Sequence, residues 1–202
     1  MLTQYILKTS DTQDMRRQMR HAVEAGCQWI EIKAHSSVSD ADISATVEDF
    51  RTELAGNNAV LIIADRYELA RDIKADGVHM YSRDTPVSKV RLALEAWPIL
   101  GVSVRNADDV AMLRGHDVDY IFREAEGGFD ADTAAADDVT AIAAALNEKV
   151  IEAPLVAAGG IGLHNAMKLI EAGANALAID ASIDSSGSRL TESIREFINK
   201  LS

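Results

Sequence analysis

Asp65 closes the apolar run Leu61-Ile62-Ile63-Ala64, and Asp84 stands just beyond Gly77-Val78-His79-Met80. A carboxylate directly after such a run is poorly solvated and needs a partner, either the adjacent Arg66 or a cation. Two hard oxygen donors on neighbouring strands, facing a phosphate-bearing substrate, are what Mg²⁺ usually takes from a protein. A second feature lies in PLVAAGGIGLHNAMKLIEAGANALAIDASI, residues 154–183. There Gly159-Gly160-Ile161 separates an apolar run from a helix, and glycine lets backbone N–H groups come close to an anion. The other chemistry-bearing side chains fall singly at the ends of apolar runs: Lys8, Lys33, His35, His79, Ser103, Arg105, Arg123 and Asp180. Several of these positions have a plainer use. Lys8 and Arg66 would serve as solvated loop charges, His79 as a hydrogen-bonded core histidine, Asp40 and Asp84 as helix caps, and Gly159-Gly160 as a tight turn.

The elements that position these residues alternate along the whole chain. Strands are predicted at 4–9, 28–34, 59–64, 77–80, 98–104, 118–122, 154–158 and 176–180. Helices are predicted at 12–25, 40–54, 66–74, 86–97, 106–114, 133–147, 164–172 and 188–200. Alternation of this kind implies a parallel sheet. Eight strand–helix units in 202 residues imply a closed (β/α)8 TIM barrel, one domain spanning residues 1–202. A doubly wound sheet would want a glycine-rich turn after its first strand, and none follows Ile6-Leu7-Lys8. In such a barrel the site lies at the C-terminal strand ends, where the ionisable residues gather.

Composition narrows the function. The chain is 48% hydrophobic and 26% charged, in the globular range. Its formal net charge of −12 argues against nucleic acid but allows a small anion in a locally basic cleft. The apolar runs are too short for a bilayer, so no membrane association is expected. The N-terminus MLTQYILKTSD has no signal-peptide pattern, and the single Cys27 suits packing in a reducing compartment, so the cytoplasm is expected. No Cys or His cluster has zinc spacing.

LIIADRYELARDIKADGVHMYSRD (61–84), together with ILGVSVRN (99–106), VDYIF (118–122) and PLVAAGGIGLHNAMKLIEAGANALAI (154–179), resembles the thiamine phosphate synthase and TenI family over nearly the whole chain. The resemblance implies a transferase of thiamine biosynthesis. It would join hydroxymethylpyrimidine pyrophosphate to a thiazole phosphate with loss of pyrophosphate and help from Mg²⁺. It further implies that Asp65 and Asp84 hold the metal, that Ser103 contacts the pyrophosphate and that Gly159-Gly160 takes the thiazole phosphate. The family often pairs barrels, so a homodimer is compatible with it.

Several positions depart from the family pattern. The motif Gln-Leu-Arg-x-Lys appears as Glu31-Ile32-Lys33-Ala34-His35. Ala64 replaces an Asn, and Tyr81-Ser82 replaces Gly-Gln. The Thr-x-Thr-Lys loop is absent from FREAEGGFDADTAAA (122–136), where Arg123 is the one cation, and Asp180 stands where Ser is usual. Three readings follow. One is a synthase whose catalytic set is Lys33, His35, Ser103 and Arg123, with Gly159, Gly160, His79 and Asp180 around the substrate. The second is a tautomerase or other phosphate-ester enzyme with His35 or His79 as acid/base. The third is a catalytically silent relative. The intact aspartate pair favours the first.

Overall fold

The computed structural model describes residues 1–82, 84–94, 98–125, 128, 135–149 and 151–201. The strands are β1 (Leu2–Thr9), β2 (Trp29–Ala34), β3 (Val60–Ala64), β4 (Gly77–Met80), β5 (Ile99–Ser103), β6 (Tyr120–Glu124), β7 (Leu155–Ala158) and β8 (Ala176–Ile179). They pair in parallel and in sequence order, and β8 closes on β1. The helices are α1 (Thr12–Ala25), α2 (Asp40–Asp49), α3 (Arg51–Gly56), α4 (Tyr67–Asp72), α5 (Val87–Leu94), α6 (Ala107–Ala111), α7 (Ala135–Lys149), α8 (Ala166–Glu171) and α9 (Leu190–Leu201). The (β/α)8 barrel expected from the alternation is the observed fold. Among the described residues no helix is long and apolar enough to cross a membrane.

Local chemistry sets several boundaries. Ser39, not Asp40, caps α2, its hydroxyl accepting from the Asp42 amide at 3.1 Å. Asp40 is instead the first helical residue, where its charge meets the helix N-terminus. The helix expected over 40–54 is two helices, because Phe50 leaves helical geometry (φ −107°, ψ 8°) as its ring enters the core. The N-terminal end of the barrel repeats one device. Asp76, Asp119 and Asn175, each just before an even-numbered strand, accept from the amides of Leu61, Leu100 and Leu155 near the starts of β3, β5 and β7 at 2.7–2.8 Å.

Strand alternation sorts the core into two shells. Tyr5, Leu7, Ile30, Ile32, Ile63, Val78, Leu100, Ile121, Leu155 and Leu177 pack outward beneath the helices. Ile6, Tyr120, Phe122, Val156, Ala158, Ala176 and Ala178 fill the barrel, with Trp29, Tyr81 and Ile99 against them. Cys27 is buried in the outer shell, and burial pushes its thiol up to about 12, as a packing residue requires. The interior fits because Gly101 lies flat against Tyr120: a Cβ there would overlap the tyrosine ring. Gly101→Ala is therefore expected to cost about 1–3 kcal/mol through overpacking, read as a lower urea midpoint at unchanged slope.

Candidate active site

The period of two that fills the barrel also decides what reaches its C-terminal mouth. Following Ile6, Phe122 and Ala178 by two residues gives Lys8, Glu124 and Asp180, and on β2 the same parity runs from Trp29 through the buried Glu31 to Lys33. Lys8 Nζ donates to Glu124 Oε1 at 2.7 Å and to Asp180 Oδ2 at 2.8 Å. Lys33 Nζ donates to Glu124 Oε2 at 2.9 Å and sits 3.4 Å from the centre of the Tyr81 ring. Two lysines and two carboxylates thus form one alternating chain across the mouth. Burial alone would raise the Glu124 and Asp180 carboxyls, but hydrogen bonds from Lys8 outweigh it and hold both below their ordinary values. Burial opposes the charge on Lys8 too, and its bonds to Asp180 and Glu124 win, raising the ammonium above its usual range. Asp180 is therefore a salt-bridged group whose other oxygen accepts from Ser182 N at 2.9 Å.

A cavity of about 740 Å³ opens beside this chain, lined in part by Lys8, Tyr81, Ser103, Glu124, Gly159 and Gly160. Gly159 (φ 107°) and Gly160 (φ 59°) are both left-handed. Among the described residues the amides of Gly159, Gly160 and Ile161 meet no acceptor. The carbonyl of Gly160 and the amide of Gly162 are tied by the Asn165 side chain at 3.0 Å each, which fixes the loop. The helix does not follow the glycines directly. It starts at Ala166, so any anion here would rest on loop amides rather than on a helix terminus. A second cavity, of about 210 Å³, lies behind β5 against α5 and α6, with Met80, Val87, Val102 and Leu113 in its wall.

The aspartates meet on the β4 side of the rim. Asp65 Oδ1 accepts from Tyr81 N at 2.8 Å and Ser82 N at 2.9 Å, while Asp84 Oδ2 accepts from Ser82 Oγ at 2.8 Å. Arg66 is not the partner of Asp65: its guanidinium binds Asp40 Oδ1 at 2.7 Å and the carbonyls of Val38 and His35. Among the described residues neither Asp65 nor Asp84 makes an ion pair, and no cluster of three ligating side chains exists. Two exposed, uncompensated carboxylates gathered around one serine fit a Mg²⁺ that takes its remaining oxygens from substrate and water.

Two residues of the expected catalytic set lie away from the cavity. Arg123 is 8% exposed and turned outward, bonding Asp138 Oδ2 on α7 at 2.8 Å and the Glu124 carbonyl. It alternates with the inward Phe122 and Glu124, so it cannot share their face. His35 is exposed on the rim, its Nδ1 accepting from Ser37 N at 3.2 Å and meeting Ser37 Oγ at 2.9 Å. His79 is fully buried below Tyr81, whose ring stacks on it at 4.0 Å. Ser103 lines the cavity and lies 3.0 Å from His79 Nε2. Glu31, Tyr81 and Glu124 were missed as site residues. Parity with Trp29 flags Glu31, and parity with Tyr120 and Phe122 flags Glu124. Residues 126–127 and 129–134, where the Thr-x-Thr-Lys loop is wanting, lie outside the described residues.

Comparison with known proteins identifies the chain's relatives. The family described as thiamine monophosphate synthase matches residues 4–183. The thiamine-phosphate synthase of Phocaeicola vulgatus is 31% identical over 189 residues, covering 89% of this chain and 88% of its own. That of Bacteroides fragilis strain YCH46 is 28% identical over 185 residues, covering 89% and 90%. Among solved structures, thiamine phosphate pyrophosphorylase from Pyrococcus furiosus superposes with a TM-score of 0.80 at 20% identity, over 99% of this chain and 96% of that one. A tryptophan synthase α-subunit from the same organism reaches 0.75 at 9% identity, over 98% and 97%, a likeness of fold alone. With a family match running from β1 past β8, this chain belongs to the thiamine monophosphate synthase family.

Proposed function

We propose that the chain is a thiamine phosphate synthase, joining a hydroxymethylpyrimidine to a thiazole phosphate at the barrel mouth with loss of pyrophosphate. The observation that carries this reading is the pair of unmatched amides at Gly159 and Gly160, which line a cavity that Ser103 also lines. N–H groups on the left-handed backbone of Gly159 and Gly160 would suit a concave anion site. They would take the thiazole phosphate and leave its ring nitrogen facing the β5 lip. Ser103 and Lys33 border the place left for the pyrimidine and its diphosphate. Asp65 and Asp84 would hold Mg²⁺, which when bound offsets the charge of the departing diphosphate. The bond from the pyrimidine methylene to the diphosphate breaks as the thiazole nitrogen bonds to that carbon. The tautomerase reading wants an exposed acid/base beside the cavity. His35 is tied to Ser37 on the rim, and His79 meets the cavity only through the Ser103 hydroxyl, so neither faces a bound thiazole directly.

Mass-spectrometric assay for thiamine phosphate from the two substrates tests the proposal. Wild type should form product in a Mg²⁺-dependent way, and Asp65→Ala should lower turnover by at least about 100-fold, a loss of roughly 3 kcal/mol of transition-state stabilisation. No product from wild type at saturating substrates would overturn the reading. Product whose Mg²⁺ dependence is unchanged in Asp65→Ala would return that carboxylate to a role in holding the β4 turn.

A further inference from the structure

Four polar side chains run in a line through the otherwise apolar barrel. Gln4 Nε2 donates to Glu31 Oε2 at 2.6 Å, and His79 Nδ1 lies 2.8 Å from the same oxygen. His79 Nε2 lies 3.0 Å from Ser103 Oγ. Glu31 and His79 are 0% exposed, and among the described residues no lysine or arginine reaches Glu31. A buried carboxylate without a cationic partner is costly to keep, so its contact with the imidazole asks for a use. The imidazole is held on its faces by Tyr81, stacked at 4.0 Å, and Phe122, edge-on at 4.4 Å. Its two nitrogens therefore point only at Glu31 and Ser103.

With Nδ1–H donating to the carboxylate, Nε2 is left to accept from the Ser103 hydroxyl. Carboxylate, imidazole and serine in that order are the parts of a nucleophilic relay. Ser103 is the one member that opens on the mouth cavity, and that cavity also carries the unmatched amides of the Gly159-Gly160 loop. Lys8 and Lys33 are already matched by Glu124 and Asp180, so these two cations leave the wall beside Ser103 open to a neutral substrate as well as to an anionic one. We infer that Glu31, His79 and Ser103 give this protein a second activity, acyl transfer from neutral carboxylic esters to Ser103 and on to water.

The steps balance without an external oxidant or reductant. Ser103 Oγ bonds to the ester carbonyl carbon as its proton passes to His79 Nε2. The carbon–oxygen bond to the alcohol breaks, and the alcohol leaves with the proton from Nε2. Water then attacks the acyl-serine by the same route, giving the carboxylic acid and free Ser103. Gly159 and Gly160, whose amides are unmatched, line the same cavity as Ser103 and would supply donors to the oxyanion. Glu31 touches no substrate and is a positioning residue.

The test uses the full chain and a fluorophosphonate probe, in which Ser103 Oγ displaces fluoride from phosphorus. Neither Mg²⁺ nor a thiamine precursor is needed, so the outcome is independent of the synthase assay. Intact mass should show one adduct, mapped by peptide sequencing to Ser103 and missing in Ser103→Ala. Glu31→Gln should slow labelling by about 10²- to 10⁴-fold, the range seen when a triad carboxylate is neutralised, and Glu31→Asp should restore part of that rate. In proton NMR, wild type should show a far-downfield His79 Nδ1 proton that is retained in Ser103→Ala and missing in His79→Asn. p-Nitrophenyl acetate should give a burst of one equivalent that follows the same variants. A folded wild type that forms no adduct at Ser103 overturns the inference. So does an adduct whose rate is unchanged in folded Glu31→Gln and His79→Asn, which would make the line of polar groups purely structural.

Discussion

Gly160→Val should abolish measurable binding of a thiazole phosphate while leaving the barrel folded. At φ 59° the residue is in the left-handed region, where a β-branched side chain is a true outlier. Forcing valine there costs about 1–3 kcal/mol or drives the loop to another conformation. Either way the amides of Gly159 and Gly160 lose their present arrangement at the cavity. Each hydrogen bond from an amide to a charged phosphate contributes about 1.5–3 kcal/mol. Losing two of them therefore weakens binding by roughly 100-fold to more than 10⁴-fold. Gly159→Ala should do the same by another route, since its Cβ would lie 2.5 Å from the Ala125 carbonyl oxygen and push the β6 and β7 lips apart. Calorimetric titration reads the loss, and circular dichroism melting separates it from unfolding. Unchanged affinity in folded Gly160→Val would mean that phosphate does not sit on this loop.

The sequence made the barrel legible because its strands are short apolar runs with a clear period and its helices fill every gap. What it blurred was the last residue or two of each strand, and the chemistry lies there. The sixth strand, predicted over 118–122, runs over Tyr120–Glu124. Ending it at Phe122 makes Arg123 look like a rim cation. Carrying the alternation two residues further puts Glu124 in the mouth and sends Arg123 to Asp138 on α7. The Gly-Gly corner was legible as the break between strand and helix, but the helix after it starts late because Asn165 holds Gly160 and Gly162 in a separate turn.

Pairings across the barrel were harder to read. Glu31 and His79 are 48 residues apart in sequence, and Lys8 and Asp180 are 172 apart. Nothing local signals either contact. Closure of β8 on β1 creates the Lys8–Asp180 pair, and the inward parity of β2 and β4 creates the Glu31–His79 pair. The Lys8 pairing also alters the expected role of Asp180. A bare carboxylate next to the glycine loop would repel phosphate, whereas one neutralised at 2.8 Å by Lys8 does so far less.

Lys8→Met should accordingly weaken both the fold and phosphate binding, with a pH dependence that identifies the cause. In wild type, burial acts to raise the carboxyls of Glu124 and Asp180, and bonds from Lys8 reverse it and lower them. Stability from a lowered carboxyl is complete above its unfolded value, about 4, and is lost as pH falls through the folded value. Lys8 is raised above 10.5, so its share is complete below that and is lost as pH rises through the folded value. The network thus contributes most between about pH 5 and 10. Lys8 is 40% exposed, against 23% for Glu124 and 16% for Asp180, so solvent screens part of it. A loss of about 1–3 kcal/mol at pH 7 lies between the exposed and buried limits. Glu124 keeps Lys33 in the variant, but among the described residues Asp180 keeps only its hydrogen bonds from Ser182. Asp180 should therefore bind a proton at higher pH, and the stability difference from wild type should shrink towards about pH 3. Urea unfolding across that range measures this. A difference that stays constant with pH would assign the effect to packing of the lysine stem instead. Phosphate affinity supplies the second reading: it should fall in Lys8→Met at neutral pH, where Asp180 is left ionised beside the glycine loop, and recover when Asp180→Ser is added. If the double variant binds no better than Lys8→Met, Asp180 does not act on the phosphate, and Lys8 itself is the group that phosphate contacts.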